Sequence, residues 1–256
     1  MTADTKNKNL IERLFKAGAH FGFQKSRRHP TMKPFLYGVK QGTDIFDLEQ
    51  SAALLDTAKT ILEDCGKNGK VVLFVGTKEE VSKLVRESAE KADSPFVTNR
   101  WIGGMLTNWS EIKKRINRLK ELSAEGESGE LERKYTKKER VIIGREADKL
   151  NYNFGGIKDI EKNPDLLVIV DPRHDHIAAT EAREMKVPVI AVMSSDSNIT
   201  LVDHPVVLND SLQASVRLAL EELTGAFLAG KSAYVPKTAA RADTPRHNSP
   251  KTVAKV

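Results

Sequence analysis

The side chains best suited to chemistry are concentrated in residues 171–176, which read Asp-Pro-Arg-His-Asp-His. His174 and His176 stand two positions apart beside two carboxylates, and imidazole with carboxylate is a ligand set for a transition metal. A structural interpretation competes with this one. Asp171 ends an apolar run, the proline turns the chain, and Asp175 is placed to cap the following helix. The structural interpretation is the stronger, so we predict neither a metal site nor a catalytic residue here.

A second candidate for chemistry is the tripeptide Gly76-Thr77-Lys78, which follows an apolar run. A lysine and backbone amides at the start of a helix can hold a phosphate. The chain lacks the GxxxxGK[ST] spacing, however, and no apolar run is followed by GxGxxG. Ordinary turn chemistry is the better explanation, and a nucleotide-dependent enzyme is kept as the alternative function. We predict no cofactor and no small-molecule substrate.

Residues 99–109, here called the tryptophan loop, combine two tryptophans, two adjacent glycines and an arginine. An arginine beside an exposed aromatic ring suits contact with phosphate and stacking on unpaired bases, which favours RNA. In the alternative interpretation, Trp101 and Trp109 pack the loop into the body of the protein. That alternative is compatible with a phosphate contact by Arg100.

Residues 17–40, here called the arm, repeat this composition, because basic residues interleave with aromatic residues, glycine and proline. Side chains of this kind neutralise phosphates; in the arm they are Lys25, Arg27, Arg28, Lys33 and Lys40. A merely solvated loop is the alternative. The charge distribution supports the first interpretation, because residues 1–40 carry +7, residues 109–150 +3 and residues 231–256 +5, whereas residues 41–108 carry −3 and residues 151–230 carry −6. Positive charge on peripheral segments of an acidic body is typical of polyanion binding.

The body that positions these segments shows short apolar runs that alternate with amphipathic helical patterns. The runs lie at residues 71–75, 166–170, 189–193 and 206–208, with a plausible short extra strand at 95–98. Continuous β-branched runs between helices indicate a parallel sheet covered on both faces. We therefore predict an α/β fold with a doubly wound, mainly parallel sheet sandwiched by helices.

One segment departs from this alternation. Apolar residues recur at helical spacing from Trp109 to Leu122, a Gly/Ser-rich stretch at 123–129 follows, and the period resumes from Leu131. This pattern predicts an inserted antiparallel coiled-coil hairpin, for which a bland pair of solvated helices is the alternative. The expected organisation is a basic N-terminal helix and arm at 1–40, a body at 41–108 and 151–230, the hairpin at 109–150, and a disordered basic tail at 231–256.

Composition also limits the classes of protein. The single Cys65 excludes an internal disulfide and a multi-cysteine zinc site, as expected in a reducing compartment. No apolar run approaches the roughly 20 residues of a membrane span. The first nine residues lack the apolar centre of a secretory signal. We expect a soluble, cytoplasmic protein without a membrane partner.

Several blocks of the sequence together resemble the bacterial type of ribosomal protein S2. They occur in the family's order and cover residues 10 to about 228, with Arg-Trp-Ile-Gly-Gly-Met-Leu-Thr-Asn at 100–108 the most specific among them. The other blocks are residues 17–22, 30–34, 74–78, 155–159, 164–165, 171–173, 181–182 and 209–210, together with His176 and Ala178. The insertion after Asn108 is similar to the hairpin of the bacterial type.

The resemblance implies a non-enzymatic structural constituent of the small ribosomal subunit. Such a protein binds small-subunit rRNA, contacts neighbouring ribosomal proteins and helps to recruit ribosomal protein S1. The residues expected to contact rRNA are Lys25, Arg27, Arg28, Lys33, Lys40, Arg100, Trp101, Asn108, Lys113, Lys114 and Arg115. The chain departs from the family pattern at Phe23, where a histidine is usual, and at 193–196 and 207–208. The change at 193–196 loses a carboxylate, which weakens the case for a metal or nucleotide at the strand ends.

Overall fold

The chain is described by a computed structural model that covers residues 3–128 and 133–234. The helices are α1 (Ala3–Lys16), α2 (Leu48–Lys67), α3 (Glu79–Lys91), α4 (Trp109–Glu127), α5 (Lys137–Phe154), α6 (His176–Glu184) and α7 (Gln213–Ser232). The strands are β1 (Phe21–Gln24), β2 (Leu36–Lys40), β3 (Thr43–Phe46), β4 (Val72–Val75), β5 (Phe96–Val97), β6 (Leu166–Val170), β7 (Val189–Met193) and β8 (His204–Val207). Residues 235–256, which include most of the predicted tail, and Leu131 lie outside the described residues.

The central sheet has five strands in the order β5-β4-β6-β7-β8, and every neighbouring pair is parallel. All residues of β4, β6 and β7 are buried, as expected for strands covered by helices on both faces. The predicted α/β class and doubly wound parallel sheet are therefore confirmed. The chain order reverses between β4 and β6, so the loops after these two strands border the crevice where ligands bind in such folds.

Each face of the sheet has its own apolar core. One core joins α1, α2, α3 and α7 to the sheet and includes Leu14, Leu55 and Phe227. The other joins α6 and the base of α4 and α5 to the opposite face, and it includes Trp101, Ile112 and Phe154. The base of the hairpin is thus part of the body's core.

A separate antiparallel sheet in the order β1-β3-β2 contains the two strands of the arm, β1 and β2. The arm was expected to be too irregular to form a buried element; it contributes β1 and β2, whose residues are exposed or half-buried. Thr43 and Ile45 of β3 pair with residues of both β1 and β2, so the sheet joins residues on either side of position 40.

The hairpin consists of α4 and α5, and Arg118 of α4 approaches Glu146 of α5 at 3.6 Å. Along α4, its apolar side chains Ile112, Ile116, Leu119 and Leu122 are buried. The predicted break at 123–129 comes too early, because α4 continues to Glu127. Thr136 and Glu139 form a reciprocal capping box that starts α5. Among the helices of residues 3–128 and 133–234, none is long and apolar enough to span a membrane.

Candidate nucleic-acid interface

The arm is fastened to the loop that follows β7, more than 160 residues away in sequence. The N–H of Phe23 donates to Ser195 Oγ at 2.9 Å, and the N–H of His29 donates to the Ser195 carbonyl at 2.8 Å. A Cβ on Gly22 would lie 3.0 Å from Ser195 Oγ, so this close approach is easiest for glycine. The arm therefore lies against the carboxyl edge of the central sheet.

Arg27 and Arg173 share one carboxylate, that of Asp196. Arg27 Nη2 lies 3.1 Å from Asp196 Oδ2, and Arg173 Nη1 donates to the same oxygen. The guanidinium of Arg27 also lies over the Phe23 ring, 4.3 Å from its centroid, which is cation–π geometry. About half of the Arg27 side chain is exposed, at 52%. Arg27 can thus present part of its guanidinium to a phosphate while Asp196 and Phe23 hold it.

Arg28 is used internally. Its guanidinium forms a two-point ion pair with Asp44 of β3, with Nε 2.9 Å from Oδ2 and Nη2 close to Oδ1. The Asp44 side chain is fully buried and that of Arg28 is 19% exposed. The hydrogen bonds to Asp44 raise the pKa of Arg28 despite the opposing effect of burial. Arg28 was predicted to contact rRNA, but the structure places it as the neutralising partner of a buried carboxylate.

Three other cations of the arm, Lys25, Lys33 and Lys40, are exposed. Within the described part of the chain, none of them lies within 4.0 Å of a carboxylate oxygen. The five predicted arm residues thus fall into two groups. The three lysines are exposed, whereas the two arginines are held by buried carboxylates.

The tryptophan loop is organised by Glu181 of α6, whose side chain was not predicted to act in this way. Its Oε1 accepts from the N–H of Gly104 at 2.7 Å and from the Trp101 indole at 3.2 Å. Its Oε2 accepts from the N–H groups of Leu106 and Thr107 at 3.0 and 3.3 Å. Burial opposes the charge of Glu181, but the hydrogen bonds, led by that from Leu106, outweigh it and lower the pKa of the carboxylate. Glu181 is the one charged residue among the buried alanines of α6, and that is the sequence signal that could have revealed it.

Trp101 is buried, with 5% of its surface exposed, and its ring belongs to the core beneath the hairpin. An unpaired base cannot stack on Trp101 in this arrangement, which agrees with the packing interpretation of the loop. Its neighbour Arg100 is exposed and has no ion-pair partner among the described residues. Asn108 is exposed too, at the N-cap position of α4. The loop thus holds Arg100 at the surface by burying Trp101.

The predicted hairpin residues Lys113, Lys114 and Arg115 are all exposed on α4. Lys114 pairs with Glu111 one turn earlier, at 2.6 Å, and both side chains are more than half exposed. Such surface pairs are weak and exchange readily with other partners. The hairpin therefore presents its charges to solvent, in contrast to Arg28 of the arm.

The strand-end loops place carboxylates where a phosphate would have to bind. The N–H and hydroxyl of Thr77 donate to Asp175 at 3.0 and 2.6 Å, so Asp175 links two loops and its side chain does not cap α6 as predicted. Lys78 Nζ lies 3.2 Å from Asp171 Oδ2 and 3.0 Å from Ser211 Oγ. The lysine and the backbone amide that suggested a phosphate site are thus both bound to carboxylates of the protein, which argues against nucleotide binding.

Asp210 lies near Lys78 and Asp171 and is completely buried. Its Oδ1 accepts from Ser211, while its Oδ2 has no hydrogen-bond partner. Burial, followed by the nearby charge of Asp171, raises the pKa of Asp210 to about 7. Among the described residues, no group of three or more His, Cys, Asp or Glu side chains is arranged to hold a metal ion.

Comparison with known proteins identifies the family. The family description "Ribosomal protein S2" matches residues 14–230. The chain is 40% identical over 221 residues to the small ribosomal subunit protein uS2 of Picosynechococcus sp., covering 86% of each chain. It is 40% identical over 218 residues to uS2 of Pseudoalteromonas translucida, covering 85% of this chain and 90% of that one. It is also 38% identical to uS2c of Emiliania huxleyi, over 86% of this chain and 96% of the relative. These relatives are structural proteins of the ribosome and not enzymes, and the chain belongs to the ribosomal protein S2 family.

Proposed function

We propose that this structural constituent of the small ribosomal subunit binds small-subunit rRNA through three surfaces that extend from an acidic body. The surfaces are the lysines of the arm, Arg100 of the tryptophan loop, and the exposed face of α4. Binding at these surfaces releases counterions from rRNA and matches its shape, without chemical conversion. A bacterial member of the family would do this in the cytoplasm.

The observation that carries this proposal is the exposure of unpaired cations on segments whose backbone is fixed. Lys25, Lys33, Lys40 and Arg100 are exposed and free of carboxylate partners in residues 3–128 and 133–234. Ser195 fixes the arm and Glu181 fixes the loop. Cations on a fixed backbone lose only side-chain entropy on binding, which favours a specific RNA surface over a flexible basic tail.

Recruitment of ribosomal protein S1 belongs to the same proposal, and the edge strand β2 supports it. Strand β2 pairs with β3 on one side only, so its other edge is available for an added strand. Tyr37 and Val39 of β2 are 84% and 47% exposed. An exposed strand edge beside an exposed aromatic ring suits a protein partner, and we place S1 there.

The test is reconstitution of small subunits that lack this protein with the purified full-length chain. We expect the chain to cosediment with the subunit, and its affinity for an rRNA fragment to fall as salt rises. Lys33→Ala combined with Arg100→Ala should reduce the slope of log K against log salt by about 1.4–1.8, since each lost phosphate contact accounts for about 0.7–0.9. Replacing Lys83 and Lys91 of α3, on the acidic body, with alanine is the matched control and should leave the slope unchanged. Failure to cosediment would refute the proposal.

S1 recruitment has a separate readout in the same subunits. Tyr37→Ala should reduce the amount of S1 retained after sedimentation, whereas rRNA binding by the variant chain should remain normal. Undiminished S1 on Tyr37→Ala subunits would remove β2 from the S1 interface and leave the rRNA proposal intact.

A further inference from the structure

A small cavity at the base of the hairpin has the chemistry of a nucleobase site. It lies between the carboxyl end of β5 and the last turn of α5, with a volume of about 190 Å³. This volume is below the ~300–1,000 Å³ of clefts for drug-sized ligands, so the cavity suits a group no larger than one base. None of its lining residues was among the predicted rRNA contacts.

The lining carries no carboxylate, which distinguishes it from the much larger cavity at the amino ends of the strands. That larger cavity, of about 1010 Å³, is lined by Glu90, Asp93, Asp159 and Glu161 as well as lysines. At the hairpin base the charged lining residue is Arg86. Arg86 is exposed, contacts Thr98 Oγ1 at 3.4 Å, and lies over the Phe96 ring at 5.6 Å. In the larger cavity the four carboxylates are matched by four lysines, so its lining carries no net charge. The lining of the smaller cavity is net positive, and this cavity is therefore the one that attracts a polyanion.

Amide side chains supply hydrogen-bonding groups around the cavity. Asn151 and Asn153 line it, and neither amide has a hydrogen-bond partner within the described chain. The third, Asn99, donates to the Tyr152 carbonyl at 2.6 Å, which ties β5 to the end of α5 and leaves its Oδ1 available. An amide presents a donor beside an acceptor, as the edge of a nucleobase does, so these side chains match an unpaired base.

Tyr152 provides an aromatic surface at the same place. Tyr152 is one of the lining residues, and it is 60% exposed. Gly156 allows the backbone to pack closely at this corner, because a Cβ there would lie 2.2 Å from the Phe96 carbonyl oxygen. Aromatic side chains of RNA-binding proteins stack on unpaired bases in this way. The site also adjoins Arg100, one residue beyond Asn99, and so continues the proposed rRNA surface.

We propose that this cavity, formed by Arg86, Asn99, Asn151, Tyr152 and Asn153, binds a single unpaired rRNA nucleotide. Tyr152 stacks on the base, the asparagine amides bind its edge, and Arg86 contacts the phosphate. The inference rests on the proposed rRNA-binding function and adds to it a site that recognises one flipped-out base, where the other surfaces recognise the backbone.

The experiment uses small subunits reconstituted with the full chain, irradiated with ultraviolet light and digested for mass spectrometry. We expect a nucleotide crosslinked to the peptide that contains Tyr152. The crosslink should be lost in Tyr152→Leu and retained in Tyr234→Leu, a control tyrosine that lines the larger cavity. With an rRNA fragment, Tyr152→Leu should raise Kd about 5- to 150-fold, the range for loss of one stacked base. Asn153→Asp, which adds a carboxylate while conserving shape, should also raise Kd.

The outcomes separate this site from the general function. If the chain cosediments but Tyr152 forms no crosslink to RNA, or crosslinks only to protein, the nucleotide site is refuted and rRNA binding stands. If Tyr152→Leu and Asn153→Asp both bind the fragment like the unaltered chain, the site is refuted as well. If the unaltered chain fails to cosediment, the proposed function fails and the nucleotide site fails with it.

Discussion

The arm and the tryptophan loop are both held by buried carboxylates, but the two regions use different donors. In the loop, Glu181 accepts from backbone N–H groups and an indole, all of them neutral. In the arm, Asp44 and Asp196 are neutralised by Arg28 and Arg27, which belong to the arm itself. Arg100 of the loop is therefore available to an external ligand. In the arm, Arg28 is mostly buried against Asp44, and Arg27 is half-exposed and paired with Asp196. Counting basic residues overstates the charge that the arm offers to a phosphate.

The largest expected effect is that of breaking the arm's own ion pair. Arg28→Ala leaves the buried carboxylate of Asp44 without its partner and should lower the free energy of unfolding by about 3–5 kcal/mol. The variant should nevertheless keep the salt dependence of rRNA binding when compared as folded protein. Urea denaturation and salt titration measure the two quantities. In Arg28→Met with Asp44→Leu, most of the loss should be recovered. A stable Arg28→Ala chain with a reduced salt slope would place Arg28 at the RNA interface after all.

The corresponding change in the tryptophan loop should be smaller. Glu181→Leu leaves several buried donors without an acceptor and should destabilise the protein by about 2–3 kcal/mol. Glu181→Gln retains an acceptor oxygen and should lose less. Because Trp101 donates to Glu181, its fluorescence reports whether the loop has moved. If Glu181→Leu unfolds like the unaltered protein, the carboxylate does not organise the loop.

Arg100→Ala tests the loop's free cation and should show the opposite pattern to Arg28→Ala. Stability should change by less than about 0.5 kcal/mol, because the side chain is exposed and unpaired. The salt slope of rRNA binding should decrease by about 0.7–0.9. Arg28→Ala and Arg100→Ala together distinguish a cation that stabilises the fold from one that binds RNA. Equal salt slopes in the two variants would show that the arginines do not differ in this way.

Stability should also depend on pH, with the carboxylates of Asp210 and Glu181 acting in opposite directions. Asp210 has a raised pKa, so the folded protein binds more protons than the unfolded chain and stability falls as pH rises from about 4 to about 7. Glu181 has a lowered pKa, so its contribution is present above an unfolded value of about 4.3 and is lost as pH falls below it. Tm measured against pH should decline less between pH 4 and 7 in Asp210→Asn. An identical decline would assign it to another group.

Most of the central sheet could be predicted from the sequence because β4, β6 and β7 are continuous apolar runs. Strand β8 begins at His204, two residues before its predicted run. Strands β6 and β7 and helix α3 begin and end where their patterns predict. The sheet β1-β3-β2 could not, because its strands have four or five residues, are mostly half-exposed and include Gly22 and Gly38. Such strands carry no clear alternation and are stabilised by pairing with residues distant in sequence.

The candidate site divides in the same way. Residue type and local context predicted that Lys33 and Arg100 would be exposed cations. They could not show that Arg28 neutralises Asp44, or that Asp175 binds Thr77 of another loop, because those partners meet only in the folded chain. Trp101 shows the same limit. The sequence left open whether its ring stacks on RNA or packs into the body, and the acceptor for its indole N–H, Glu181, lies 80 residues later.

The attachment of the arm to Ser195 and Asp196 also sets an order of events during synthesis. The arm's partners follow it by 172 and 169 residues, so they leave the ribosome long after the arm does. At about 5–20 residues per second, the interval is roughly 10–35 s. Throughout that interval Arg27 lacks Asp196, and the nascent arm is a more strongly cationic, unanchored segment than in the finished protein. Once β7 and the loop after it are complete, Ser195 and Asp196 can bind the arm, and its cations then lie on a fixed surface.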